Sequence, residues 1–450
     1  MGLVPRRLAV GIVDGVLREQ RSADQPFDAS DGNPVLLALN ARDRAFTRNL
    51  VTVTVRQLGW LRRIIRTRLQ KRLPPRAGTT EAILLVAAAQ IFSLRTSDHA
   101  AVDQAVRLAT EDRQARHFSG LVNGVLRSLI RDREAGQIGD PSPATILPEW
   151  LERRWQAQFG TEIFEAITAR LADEPPLDLS LRNPDSLASW AERLGGVGLT
   201  NGTVRLAAGG AGSPEMLEGF SEGSWWVQDA AARLPVMLMG DVAGKAVADL
   251  AAAPGGKTAQ LAAAGAQVTA VDRSAPRLDR LRSNLKRLGL VAETRVADVT
   301  EWRSETQFDA VLLDAPCSAT GTLRRHPDIA WTRRETDIAA LAEIQTRLLD
   351  NATQMVRPGG QLVYATCSLE PQEGRDQIER LLKSNTDFER VPVRADEIGG
   401  LAPALTEKGD AQTRPDLGFA LADRPSNKEI GDGIAAGMDG FFIARLRRTS

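Results

Sequence analysis

Only two cysteines occur in the 450 residues, Cys317 in DAPCSATG and Cys367 in YATCSLEP. Each closes an apolar run, FDAVLLDA and GQLVYATC, with the length and composition of a strand buried in a parallel sheet. In an open α/β sheet the carboxyl ends of the strands form the ligand edge, so both thiols stand where chemistry is done. A single buried cysteine is an ordinary small apolar residue, but two at one edge point to a shared task. They are too few for a disulfide framework or a four-thiolate metal site, so each acts individually. A thiol beside a methyl donor suits methylation of a pyrimidine at position 5. That carbon is a poor nucleophile until a thiolate adds to the adjacent position 6. One thiol would start the reaction; the second would assist loss of the position 5 proton or release of the enzyme.

The methyl donor would lie on the preceding strands. The run AVADL enters the turn Ala251, Ala252, Ala253, Pro254, Gly255, Gly256, Lys257 and then a helical stretch. Small residues and paired glycines let a ligand approach the backbone there. The spacing is neither the dinucleotide fingerprint nor a phosphate loop, which disfavours NAD and nucleoside triphosphates. Asp272 ends the next strand, where a carboxylate accepts from ribose hydroxyls; Asp298, after a third, is placed to meet an adenine edge. Each acid alone fits a helix cap, but acids repeated in strand register indicate a nucleoside site without pyrophosphate, hence S-adenosyl-L-methionine. Lys257 would face either the substrate base or a neighbouring carboxylate.

These residues need a scaffold of several domains, since 450 residues exceed one hydrophobic core. Apolar strands alternate with amphipathic helices from Ala246 onward, the pattern of βαβ units around a parallel sheet, with a last strand at DGFFIARL antiparallel to it. Residues 141–228 mix a helix with short strands and read as a small α+β unit, and residues 1–140 carry helical periodicity. Phe118, Leu121, Val122, Val125, Leu126, Leu129 and Ile130 make one stripe that requires partners in a helical bundle. Pro141, Pro143 and Pro148 mark the boundary after it. The longest apolar stretch, Ala82 to Phe92, is too short to span a bilayer, and no signal-peptide run follows Arg6 and Arg7, so a cytoplasmic protein is expected.

The net charge of zero conceals an asymmetry. Residues 1–140 hold 22 basic and 14 acidic residues, and Arg44 to Thr80 includes ten basic residues and no acidic one. Arg62, Arg63, Arg66 and Arg68 make a candidate anion-binding face, with a solvated helix surface as the plainer reading. Arg324 and Arg325, followed by His326, Trp331, Arg333 and Arg334, join charge to an aromatic beside the Cys317 loop and suit an RNA entrance. The ring of His326 reads as a loop-stabilising group. Gln228-Asp229, after Trp225-Trp226, reads as a helix start.

Taken together, DRAFTRNLV and GLVNGVLRSL in the helical part, the DLAAAPGGK loop, DAPCS and YATCS resemble the RsmB-type bacterial RNA cytosine-5 methyltransferases of the Sun/NOL1/NOP2 group over nearly the whole chain. The resemblance implies an all-α NusB-like RNA-binding domain over 1–140, a small α+β connecting domain over 141–228 and an α/β Rossmann-like catalytic domain over 229–450. It implies small-subunit (16S) ribosomal RNA as partner, and a monomer acting with neither membrane nor metal. It assigns Cys367, in Thr-Cys, as the nucleophile, Cys317, in Pro-Cys, to resolving the adduct, and Asp314 to the cofactor and the cytosine ring. Ala251 departs from the cysteine most members carry at the start of the loop. The active-site motifs do not encode which folded RNA is presented, so a transfer RNA methyltransferase is the first rival. A noncatalytic ribosome-assembly factor is the second.

Overall fold

The computed structural model describes residues 2–28, 31–94, 96–139, 145–209, 213–422, 434 and 437–449. Of the boundary prolines, Pro141 and Pro143 lie outside them. The chain forms two compact units, Met1–Asp173 with Arg325–Glu335, and Glu174–Arg324 with Thr336–Ser450.

The first unit is helical. Its centre is the helix Thr80–Phe92, apolar and buried on every side from Ala82 to Ile91, so the longest apolar stretch is the core of a bundle. Helices Leu3–Glu19, Ala41–Arg56, Leu58–Arg66, Asp98–Glu111 and Ser119–Glu134 surround it. In the last, Val122, Val125, Leu126 and Leu129 are buried as the stripe requires, while Leu121 is exposed. Asn40 caps Ala41–Arg56 by accepting from the Asp43 N–H at 2.8 Å, satisfying a donor the helix leaves open.

These units cut the chain elsewhere than at 140 and 228. Helix Glu149–Ala172, bent at Gly160 (φ 78°, ψ 168°), belongs with the bundle: Arg56 Nη1 donates to the Leu171 carbonyl at 2.9 Å. Gly59 lies so near Thr145 that a Cβ there would stand 2.4 Å from its carbonyl oxygen. Among the described residues, no helix is long and apolar enough to cross a membrane.

The second unit opens with a small antiparallel sheet, β1 (Leu177–Leu181), β2 (Val197–Gly198), β3 (Thr203–Leu206) and β4 (Trp225–Val227), in the order β2-β3-β1-β4. A fully buried pair, Arg205 Nε to Asp178 Oδ1 at 2.6 Å and Arg205 Nη2 to Asp178 Oδ2 at 2.8 Å, locks β1 to β3. The larger sheet holds β5 (Ala246–Leu250), β6 (Gln267–Asp272), β7 (Glu293–Val296), β8 (Phe308–Asp314), β9 (Val356–Thr366), β10 (Phe388–Arg390), β11 (Ala411–Gln412) and β12 (Phe442–Arg448). Its order is β10-β12-β9-β8-β5-β6-β7, with β11 also on β12. Strands β5 to β9 are parallel, and β12 pairs antiparallel with β9, as expected for the DGFFIARL strand. Apolar clusters cover both faces, one including Val247, Leu312 and Val363, the other Leu250, Leu313 and Tyr364, which is why these strands read as unbroken apolar runs. Strand order reverses between β5 and β8, and the crevice at such a reversal is where ligands bind.

Candidate active site

The loop after β5 reaches the edge through a tight turn. Ala251 takes φ 60°, the Ala253–Pro254 peptide is cis, and Gly255 takes φ 104° before helix Gly256–Ala263. A Cβ at Gly255 would stand 2.7 Å from Leu281 Cγ. Gly255 is thus required by its φ and by the packing of helix Ala275–Leu288, a correction to the expectation that it clears the ligand's path. Asp272, 2% exposed, ties the loop to β6: Oδ2 accepts from the Ala253 N–H at 3.1 Å and Oδ1 from the Ser274 N–H at 2.9 Å. Asp298 Oδ1 accepts from Thr300 N at 2.8 Å and Thr300 Oγ1 at 2.7 Å, and these bonds hold its carboxyl below the usual range.

Asp249, in β5, was not singled out from the sequence. It is wholly buried, and burial pushes its carboxyl up to about 7; the Thr258 hydroxyl at 2.6 Å opposes the shift, and the charges of Asp314 and Asp272 add to it. Its Oδ1 has no partner among the described residues. An edge of carboxylates with an orphaned acceptor fits a ligand that brings hydroxyl donors, an ammonium and a sulfonium charge, as S-adenosylmethionine does.

Lys257 resolves toward the carboxylate. Its Nζ lies 2.8 Å from Asp314 Oδ2 and 5.1 Å from the centre of the Phe441 ring. Burial would lower the lysine's pKa, but Asp314, then Cys367 and Asp249, outweigh it and the net shift is upward. Asp314 keeps 30% of its side chain exposed.

The two sulfurs stand 3.4 Å apart, Cys317 buried and Cys367 partly exposed. The hydrogen bond to Cys367, then burial and the charges of Cys367 and Glu373, raise the Cys317 thiol well above its ordinary value, so it stays protonated. Backbone bonds bring the two loops side by side: Ala315 N donates to the Ala365 carbonyl at 2.8 Å and Gly321 N to the Cys367 carbonyl at 3.0 Å. Gly321 admits no side chain, since a Cβ would meet the Gly440 carbonyl oxygen at 1.9 Å. Ala319, between them in sequence, takes φ 60°.

Other candidates fall elsewhere. Arg324 is 2% exposed, with Nη1 3.9 Å from Asp229 and 3.8 Å from Asp439. A guanidinium so enclosed offers no phosphate surface, and the expected RNA contact is corrected to a buried anchor. Asp229 Oδ1 also accepts from the Ala231 N–H at 2.8 Å, and Gln228 binds Ser180, Trp226 and Gln260, so this segment reads as a helix start. Arg325, half-buried, begins the stretch that belongs to the helical unit. There His326 Nδ1 pairs with Asp24 Oδ2 at 2.8 Å, Asp328 accepts from Ala23 N at 2.9 Å, and Trp331 packs on the helical core beneath the Arg62 guanidinium, 5.4 Å away. His326 is thus the loop-stabilising group its context suggests. Of the arginine run, Arg62 pairs with Glu81 (2.9 Å), Arg63 with Glu152 (3.5 Å) and Arg68 with Asp132 (2.6 Å), while Arg66 is exposed without a partner among the described residues.

A Rossmann-like sheet with a carboxylate-lined nucleoside edge and paired thiols defines a cofactor-dependent nucleobase methyltransferase. Residues 236–447 match the family described as 16S rRNA methyltransferase RsmB/F, and residues 4–131 match the NusB family. The ribosomal RNA small subunit methyltransferase B of Cronobacter sakazakii is 36% identical over 419 residues, 89% of this chain and 96% of that protein. The chain belongs to the RsmB/F family of methyltransferases. Its fold is shared with a methyltransferase homologue from Pyrococcus horikoshii (TM-score 0.53, 26% identity, 67% of this chain and 95% of that one). It is shared too with NSun6 from the same organism, solved with SFG (TM-score 0.52, 19% identity, 67% and 98%).

Proposed function

We propose that this protein methylates C5 of a cytosine in small-subunit ribosomal RNA, with S-adenosylmethionine as donor and a transient bond between Cys367 and C6 of the base. Family membership supports the donor and ribosomal RNA over transfer RNA, and with such a substrate the protein works in the cytoplasm. The observation that carries the covalent route is the 3.4 Å approach of two unlike thiols, one buried and held protonated, the other partly exposed.

Cys367, as thiolate near the Lys257 ammonium, forms the Sγ–C6 bond as the C5–C6 π bond opens, while Asp314 accepts from the protonated N3 of the cytosine and Lys257 holds Asp314. When bound, S-adenosylmethionine would supply C5 with an electrophilic methyl group and depart as a neutral thioether. The C5 proton then passes to water, the C5–C6 double bond re-forms as the Sγ–C6 bond breaks, and Cys367 leaves as thiolate with the protonated Cys317, 3.4 Å away, donating a hydrogen bond to it. Asp272 and Asp298 hold the nucleoside half, and the loop Ala251 to Lys257 holds the remainder through its backbone. Arg62, Arg63, Arg66 and Arg68, with Arg325, position RNA by its phosphates without reading bases. A purely RNA-binding assembly factor would have no use for either thiol.

Denaturing gels of the full-length protein with target RNA and cofactor test this. Cys367→Ala should give neither product nor adduct. Cys317→Ala should accumulate a denaturant-resistant, cofactor-dependent protein–RNA complex that vanishes in the double variant. The reverse pattern would exchange the two roles, and full activity in both single variants would end thiol catalysis.

A further inference from the structure

One buried carboxylate beside the thiols has no part in that chemistry. Glu373 closes the short turn Pro371–Glu373 after β9 and is 0% exposed. A buried carboxylate persists where its lone pairs are matched by donors, and here the donors come from both thiol loops. Oε1 accepts from the Ser318 N–H at 2.8 Å and from Gln345 Nε2 at 3.1 Å. Oε2 accepts from the Ser368 hydroxyl at 2.5 Å and from the Ser318 hydroxyl. Ser318 follows Cys317 and Ser368 follows Cys367 in two Cys-Ser dipeptides. The two hydroxyls are 3.2 Å apart, and Thr320 Oγ1 joins them 3.3 Å from Ser368 Oγ. The Tyr364 hydroxyl, donating to the Glu373 carbonyl at 2.7 Å, fastens the turn to β9.

We infer that Glu373 is a positioning residue whose carboxylate gathers Ser318 and Ser368 onto one point and so sets the separation of the Cys317 and Cys367 sulfurs. The inference rests on the reading that both thiols act. Strand pairing stops short of the sulfurs, and a thiol misplaced by an ångström forfeits much of its rate. Only an ionised carboxylate offers acceptors alone to these donors; glutamine would turn an N–H₂ toward one pair and force the hydroxyls to rotate. The negative charge also contributes to keeping Cys317 protonated.

The test uses full-length Glu373→Gln, with melting temperature, calorimetric binding of S-adenosylhomocysteine, and methyl-transfer kinetics on target RNA. Cofactor affinity and the KM for RNA should stay within about twofold while kcat falls roughly 10- to 100-fold. The pH limb of adduct release should move to lower pH, because the charge beside Cys317 is gone. Adding Ser318→Ala and Ser368→Ala to Glu373→Gln should cost little more than either change alone, since all three act through one cluster. A merely structural Glu373 would lower the melting temperature and leave the kcat of the folded protein and its pH profile unmoved; that result overturns the inference, as do additive losses. If Glu373→Gln does not fold, the serine variants decide: each should lower kcat at constant KM, and normal kcat in both overturns it. Cys317→Ala on wild-type Glu373 is the control, because failure to trap RNA there defeats the thiol mechanism and leaves the clamp a separate matter.

Discussion

Charge is concentrated in two regions of this protein, and they differ in how it is closed. Along the arginine-rich helix Leu58–Arg66 and its extension, guanidinium groups meet carboxylates at partly exposed positions: the side chains of Arg62 and Glu81 are 38% and 40% exposed. Exposed pairs contribute about 0–1 kcal/mol each, so such a face can give up its acidic partners at little loss. At the thiol edge the ionisable groups are enclosed: Asp249 and Glu373 are fully buried and Lys257 nearly so. Breaking one partner out of a buried pair costs about 3–5 kcal/mol, which holds the groups in one arrangement. The helical face is built to exchange partners and the edge to keep them. This division suits binding in the first case and bond-making in the second.

The contrast breaks first at Asp272. With the Ala253 and Ser274 amides already on its carboxylate, Asp272→Ala should weaken calorimetric cofactor binding by about 1.5–3 kcal/mol, roughly ten- to a hundredfold, in a folded protein. Unchanged affinity would remove the cofactor from this edge.

A smaller effect belongs to Asp249, whose carboxyl is raised to about 7 in the folded protein from 3.8. Between those values the unfolded chain has released a proton that the folded one still holds. The contribution of this group to stability is therefore complete below about pH 4 and lost as pH rises through about 7. Asp249→Asn, which stays neutral, should match the wild type near pH 4 and melt progressively higher than it toward pH 8, by about 2–4 °C per kcal/mol recovered. Parallel melting curves across that range would mean that Asp249 is not held protonated.

The smallest effects separate members of the arginine run. Arg66→Ala should leave the melting temperature unchanged and reduce the slope of log RNA affinity against log salt by about 0.7–0.9, one phosphate contact. Arg68→Ala should also lower stability, by up to about 1 kcal/mol, because it removes the ion pair with Asp132. Identical behaviour of the two would show that pairing does not distinguish them.

Much of this was legible in the linear order of residues. Apolar runs of strand length alternating with amphipathic helices specify a parallel sheet, because burial on both faces demands them, and the sheet's carboxyl edge then receives Asp272, Asp298, Asp314 and both cysteines at the ends of their runs. Helical periodicity likewise placed the bundle helices, since a stripe such as Val122, Val125, Leu126 and Leu129 can be buried on one side only. What periodicity does not carry is which distant groups meet. That Arg324 is an anchor between Asp229 and Asp439, that Arg325–Glu335 packs with the helical bundle, that Lys257 faces Asp314, and that Glu373 reaches Ser318 are pairings across tens to hundreds of positions. Residue type and spacing report local backbone preference and the side that is buried. The partner of a buried charge is decided only when the packed chain excludes water and leaves each group the few neighbours that tertiary structure supplies.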